Sequence, residues 1–563
     1  MSEQLEPRGD SGLTGRRVLI GVIVVILLGA VAGFIHGFSG GSDSKTTFVP
    51  GDVASYRTQV ISWDTCDSEM FVPVDWFSSG FAKDAALCSS FVVPASYSPL
   101  SGTELPDLTI KVLKSPALDQ ENKLGTLFFN PGGPGESGIN VVQYISVPQL
   151  IREKYDLVGF DPRGVGRSSP VKCADTDSVD YYFKTVSSPE NEAEGLANEQ
   201  WAADSVKACA ALNPNWWVMT SLNTVSDMDI MREVVAKEDK FNFVGFSYGT
   251  TLAVEYIRAF PEHAGRIVLD SVTSNDDTDY NQAELESTYK ALTALFEMCA
   301  ADPKCPGGSV AQVENLIFQA QDQANQGKLT GGFRNLSSLP EADGPVISDD
   351  ELIYSGLVSM SYAATKDAYP EFSEAMNNLV KGDALYFEYQ AFRLYGWEFK
   401  NEEWVRNNSD EMLSIVNCLD SDSRDLRSKE KVAKDEVRFA AADPFTSKFF
   451  ASDSGYVFVG KRAGCQWSWL AFADPVIPDP PDLMQTPVNE SGQVFLVIGS
   501  KLDTVTPIEN AQDTAKQLSF RLLTYEGSGH APSFGGIACI DDAITSYLVT
   551  GYLPEEDIVC AAE

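Results

Sequence analysis

Histidine is scarce in this chain, with only His36, His263 and His530 among 563 residues. Three histidines without an H-E-x-x-H pair do not assemble a catalytic zinc site, and nothing else in the sequence calls for a metal or a cofactor. Basic residues are also few: 42 Lys and Arg face 80 Asp and Glu, a formal charge of −38. A field of that sign repels phosphate backbones and anionic headgroups, which excludes nucleic acid as a natural partner. It suits solubility, and equally the attraction of a cationic group such as a free peptide N-terminus. The chain has no internal repeat and no low-complexity segment, and no Gly-Lys-Ser/Thr follows its glycine-rich loop to make a nucleotide cradle.

Cysteine is missing from the N-terminal apolar run, which removes a lipid-modified cysteine from consideration. All ten cysteines lie beyond it: Cys66, Cys88, Cys173, Cys209, Cys299, Cys305, Cys418, Cys465, Cys539 and Cys560. An even number downstream of an export signal reads as disulfides. Pairing between sequence neighbours is the simplest arrangement, with Cys299 and Cys305 closing a tight loop. The signal is Arg16-Arg17 followed by an apolar run to Phe38. Positive charge stays on the cytoplasmic side, so the rest of the chain is expected outside, secreted or anchored to the outer face of the membrane. Ala30-Val31-Ala32 fits cleavage, whereas a run of about 20 residues fits a retained anchor, and both remain open.

The chain divides into a cytoplasmic n-region at 1–17, the apolar segment at 18–38 and a Gly/Ser/Thr linker at 39–60. From 61 to 275 short apolar runs alternate with helical stretches. These strands lie at Phe91–Val93, Leu108–Val112, Leu127–Phe129, Asp156–Phe160, Phe241–Phe246 and Ile267–Leu269. The pattern predicts an α/β fold with a mostly parallel sheet covered on both faces. Across 276–480 helical spacing dominates, as in Leu285, Tyr289, Leu292, Phe296 and Cys299, and a helical lid or cap is expected. Residues 481–563 resume the alternation with Val494–Ile498, a helix from Ile508 and a strand near Leu522.

Gly245-Phe246-Ser247-Tyr248-Gly249 is a G-x-S-x-G pentapeptide between an apolar strand and an apolar helix. A strand-to-helix turn of that tightness needs small flanking residues and exposes the serine hydroxyl, so Ser247 is the candidate nucleophile of an α/β hydrolase. A second copy, Gly37-Phe38-Ser39-Gly40-Gly41, has no strand before it and is set aside. Ser287-Thr288-Tyr289-Lys290 matches S-x-x-K but lacks the accompanying K-T-G. A serine needs a base. His36 falls in the export segment and His263 at the end of the next helix, which leaves His530, just past the last strand. Asp503 follows the Val494–Ile498 strand and gives the chain order Ser, Asp, His of this fold; Asp270 is its competitor. Asn130-Pro131-Gly132-Gly133-Pro134-Gly135 follows the third strand of the alternating pattern, where Gly132 or Gly133 would supply one backbone donor of an oxyanion hole and Tyr248 the other.

These motifs, with Asp161-Pro162-Arg163-Gly164-Val165-Gly166-Arg167, resemble those of the exported tripeptidyl aminopeptidases of actinobacteria, relatives of the prolyl aminopeptidases. The resemblance runs from about residue 60 onward and includes Cys418, Cys465 and the segment from Val494 to Cys560. It implies Ser247, Asp503 and His530 as a triad, a peptide substrate cut from its free N-terminus, and lid carboxylates that hold the ammonium. Glu136 is a candidate for that last role, or an exposed turn residue. An esterase or lipase acting on cell-envelope lipids or small esters is the alternative, and a non-catalytic binding protein a more distant one.

Overall fold

The computed structural model describes residues 53–73, 77–97, 105–173, 204, 207–274, 280–326, 328–331, 350–394, 396–400, 403–420, 441–449 and 493–562. The apolar segment at 18–38, with His36, and residues 39–52 of the linker lie outside these residues; the remainder of the linker holds the short helix Ala54–Arg57. Among the described residues no helix is long and apolar enough to cross a membrane.

Ten strands form one sheet in the order β1-β2-β3-β5-β4-β6-β7-β10-β11-β12. They are β1 (Asp64–Thr65), β2 (Leu87–Val93), β3 (Leu108–Ser115), β4 (Gly125–Asn130), β5 (Tyr155–Phe160), β6 (Phe241–Phe246), β7 (Ala264–Asp270), β10 (Leu496–Leu502), β11 (Arg521–Ser528) and β12 (Ile558–Cys560). The pairings up to β3–β5 are antiparallel and all those beyond are parallel. β4, β5 and β6 are buried at every position, which is why they read as unbroken apolar runs rather than alternating ones. Two apolar layers flank the sheet. One joins Phe128, Phe241, Phe243 and Tyr256, the other Leu127, Phe129, Val244 and Ile498.

β7 and β10 are neighbours in the sheet, yet the whole run from 271 to 495 separates them in sequence. The described part of that run contains the helices Tyr280–Ala301, Val310–Asn325, Asp350–Ser361, Thr365–Leu379, Leu385–Leu394, Ser409–Asp420 and Pro444–Phe449. Most of these helices share an apolar core of their own, built on residues such as Phe296, Ile317, Leu357, Phe372, Phe387 and Phe445. The Ser409–Asp420 helix instead joins the core of the sheet through Met412, Ile415 and Leu419. Helical spacing did not reveal one feature of this block, an antiparallel hairpin of β8 (Trp397–Lys400) and β9 (Glu403–Arg406).

Disulfides link Cys66–Cys88, Cys173–Cys209, Cys299–Cys305 and Cys539–Cys560, each pair adjacent in the cysteine order. Cys418 is disulfide-bonded as well; Cys465 lies outside the described residues.

Candidate active site

At the end of β6 the chain turns at once into the helix Tyr248–Ala259, and Ser247 sits on the turn with φ 52° and ψ −124°. This is a conformation that non-glycine residues enter only under constraint from their surroundings. The flanking glycines are required by space. A Cβ on Gly245 would lie 2.3 Å from the carbonyl oxygen of Gly249, and one on Gly249 would lie 2.7 Å from that of Asn130. Ser247 N donates to the Asp270 carbonyl (2.9 Å) and the Thr250 hydroxyl donates to the Ser247 carbonyl (2.6 Å), pinning the turn from both sides.

Asp503 leaves the end of β10 and is fully buried. Its Oδ1 accepts from the backbone of Val505 (3.0 Å) and Thr506 (2.9 Å), while its Oδ2 accepts from the hydroxyls of Thr506 (2.8 Å) and Ser271 (2.7 Å). His530, following β11, brings Nδ1 to 3.0 Å from each carboxylate oxygen. Burial opposes the charged imidazole, but the charge and hydrogen bond of Asp503 outweigh it, with Asp270 adding to them, and hold His530 above its ordinary pKa. Burial likewise opposes the Asp503 carboxylate, and the His530 charge and the donors around it keep it below the usual range. Asp270 plays a different part. It accepts from Ser533 N (2.9 Å), and burial pushes its carboxyl up to about 6.

Ser271 joins these pieces. Its hydroxyl donates to Asp503 and accepts from Ala531 N (2.7 Å), and its own N–H donates to the Ile498 carbonyl (3.0 Å). The Asp503 and His530 loops are thereby tied to the strand next to the Ser247 turn. In the sequence Ser271 reads only as a neighbour that suggests a structural hydrogen-bonding role for Asp270, and Thr506 gives no sign of its own. Asp503 with Thr506 three residues on is an Asx-type turn pattern that could have drawn attention to it.

The Asn130–Gly135 loop lies against Ser247. At Gly132, with φ 102°, a Cβ would meet the Phe246 carbonyl at 2.6 Å and the Ser247 Cβ at 2.9 Å. Its N–H donates to Asn130 Oδ1 (3.0 Å). Gly133 also has positive φ, at 101°. Glu136 is exposed.

The helical block closes on the site from the other side. His530 N donates to the Tyr362 carbonyl (2.8 Å), and the two rings meet edge to face at 5.4 Å. Ser287 donates to the Asp503 carbonyl, Thr288 to that of Thr504 (2.9 Å), and Thr504 to that of Ser361 (2.6 Å). Ser287 of the S-x-x-K match therefore braces the acid loop, while Lys290 faces solvent. Glu284, one turn earlier on the same helix, is fully buried, a position no local pattern signalled. Together with burial, the charges of Glu284, Asp503 and Glu136 raise the Tyr362 phenol.

Behind Tyr248 runs a polar chain. Its hydroxyl bonds the Ser221 hydroxyl, which donates to Asp420 Oδ2 (2.5 Å), and Ser221 N donates to Asp420 Oδ1 (3.1 Å). Asp420 ends the Ser409–Asp420 helix, and burial pushes it up to about 7. Glu255 is buried nearby. Burial and the Asp420 charge raise it well above the usual range, against the pull of Arg258.

The remaining candidates are structural. His263 Nδ1 lies 2.8 Å from Asp229, in a cluster with Arg57 and Arg232. In the Asp161–Arg167 motif, Arg163 forks onto Asp227 at 2.8 and 2.6 Å, while Asp161 accepts from Ser137, Ile139 N and Arg167 N. Neither group belongs to the Ser247 cluster.

The mostly parallel sheet, the constrained serine turn after β6 and the Asp503 and His530 loops after the last long strands define the class: this chain has the α/β-hydrolase fold. The family model described as "alpha/beta hydrolase fold" matches residues 125–293, and the model described as "TAP-like protein" matches residues 462–560. The two matches mark the chain as a TAP-like α/β hydrolase, similar to serine hydrolases of that kind. It is 27% identical over 496 residues to the serine protease Hip1 of Mycobacterium tuberculosis, covering 84% of this chain and 87% of that protein. It is 25% identical over 520 residues to the tripeptidyl aminopeptidase of Streptomyces lividans, covering 89% and 86%. Carboxylesterase B of Mycobacterium tuberculosis is 27% identical over 521 residues, covering 89% and 90%.

Proposed function

We propose that the protein is an exported serine peptidase of the aminopeptidase type that releases short peptides, tripeptides among them, from free N-termini. The observation that carries the chemistry is His530 Nδ1 held between both oxygens of the buried Asp503, on loops that Ser271 ties to the end of β7, whose Asp270 carbonyl accepts from the N–H of Ser247 on its constrained strand-to-helix turn. In this reading Ser247 Oγ attacks the peptide carbonyl while His530 Nε2 takes its proton. The imidazolium is stabilised by Asp503 and returns the proton to the leaving amine. Water then hydrolyses the acyl-enzyme by the same route. The oxyanion would be met by the N–H of Tyr248 and that of Gly133. Gly132, whose N–H is given to Asn130, would clear the space that a side chain would fill. Glu284 and Glu136 both bear electrostatically on Tyr362, beside His530, which supports a substrate ammonium bound on that side. The disulfides support an oxidising, extracytoplasmic location.

The esterase reading uses the same machinery, and the carboxylesterase-named relative favours it. A panel of free tripeptide amides, N-blocked peptides and short acyl esters, offered to the wild type and to Ser247→Ala, separates the two. Turnover of free peptides that blocking abolishes supports the peptidase. Turnover of esters alone rejects it, and full activity in Ser247→Ala rejects the triad.

A further inference from the structure

The Ser247 cluster lies at the C-terminal ends of the parallel strands. At their opposite ends is a cavity of about 170 Å³, lined in part by Ser78, Gly80, Ser115, Ser146, Gln149 and Arg152. Ser115 ends β3 and pairs with Leu157 near the start of β5, and Arg152 stands just before that strand, so the cavity opens beneath β3 and β5. Its floor is buried: Ser115 is 2% and Arg152 5% exposed. Its rim, with Ser79, Ser146 and Gln149, is open to solvent.

Arg152 is the unusual member. Among the described residues its guanidinium makes no hydrogen bond or ion pair, and Nη1 is buried without any partner. Asp156 is the acid whose charge reaches it, but Asp156 is already occupied by Lys123 (2.6 Å), Ala117 N (2.8 Å) and Gln120 (2.9 Å). Burial therefore acts on the guanidinium with only partial compensation and lowers its pKa. A guanidinium does not escape this cost by losing its proton, and a buried charge without a partner is among the most unfavourable features a fold can hold. The other five named lining residues bring hydroxyl, amide and backbone N–H donors and no carboxylate. A planar guanidinium with hydroxyl donors around it is suited to a tetrahedral oxyanion gripped by two parallel hydrogen bonds.

We propose that this cavity binds a phosphate group, free or as a phosphate monoester, with Arg152 as the charged anchor and Ser115 and the Ser78–Gly80 loop around it. Water takes about 30 Å³ per molecule in the liquid, so the volume admits a phosphate with a short substituent. The site runs against the net charge of −38, so the general field of the protein does not account for it.

The test uses the full chain. Thermal unfolding is followed in inorganic phosphate and in sodium chloride of matched ionic strength, and calorimetric titration compares inorganic phosphate with glycerol 3-phosphate. Phosphate is expected to give a saturable rise in Tm of about 1–2 °C that chloride does not. Arg152→Gln should abolish it. Should Arg152→Gln fail to fold, Ser146→Asp decides the matter, because it places a carboxylate on the exposed rim. It should weaken phosphate binding about fivefold and leave hydrolytic activity unchanged. Tighter binding of glycerol 3-phosphate assigns an esterified source such as a lipid headgroup, and equal or weaker binding assigns the free anion. A phosphate effect equal to that of chloride, or one undiminished in Ser146→Asp, overturns the proposal.

Discussion

His530 is held in a state that favours its proton, and this sets the pH at which it can serve as a base. In the proposed mechanism it must be neutral to accept the Ser247 proton, and Asp503 raises its pKa despite burial. Activity should therefore rise with pH through an apparent value above about 6.5, the ordinary one for histidine. A pH profile of kcat/KM reads it directly. Asp503→Asn should lower kcat by about 10⁴ and move that midpoint down, since the variant removes the charge that stabilises the imidazolium. An unmoved midpoint would mean that Asp503 only supports the loop. These residues were legible in the sequence for simple reasons. A tight turn dictates glycines on either side of Ser247, and three histidines leave little choice of base. Ser271, Ser221 and Glu284 were not legible, because each acquires its role from a partner far along the chain: Asp503, Tyr248 and Tyr362 in turn.

The Ser409–Asp420 helix acts on the candidate oxyanion hole at two places. A Cβ on Gly135 would lie 2.4 Å from the Ser409 carbonyl, so the start of the helix rests on the glycine loop. Its last residue, Asp420, reaches Tyr248 through Ser221. Asp420→Ala should lower kcat about tenfold, equivalent to about 1.4 kcal/mol in the barrier, with KM little changed. Asp420→Asn keeps an acceptor for Ser221 and should restore most of the loss. Steady-state kinetics on the two variants check both outcomes, and equal losses in kcat would remove Asp420 from the positioning role. The apolar periodicity of this segment was readable, but its placement was not. Helical spacing reports which face is buried and gives no sign that this helix joins the sheet while its neighbours build a core of their own.

Across the molecule, buried carboxyls set how stability changes with pH. Asp270 and Asp443 are raised to about 6 and Asp420 to about 7, with Glu255 raised as well. Each holds its proton in the folded state at a pH where the unfolded chain has released it, so stability is lost as pH rises from about 4 towards 7. His530, also raised, contributes in the same direction. Asp156, Asp229 and Asp503 are lowered, and the stability they contribute is lost as pH falls below about 4. Denaturation across a pH series should find a maximum near about pH 5, and Asp420→Asn should show a shallower decline on the alkaline side. A maximum above about pH 7 would contradict the assignment.

The pairing of β7 with β10 across the intervening run has a consequence for the newly made chain. Translation delivers Ser247 early, but the strand that leads to Asp503 and the loop that carries His530 arrive only after the entire helical block. With the roles proposed above, a nascent or truncated chain displays Ser247 without the base that His530 would supply. Under the proposed mechanism, hydrolytic competence therefore waits until the last segment docks beside β7.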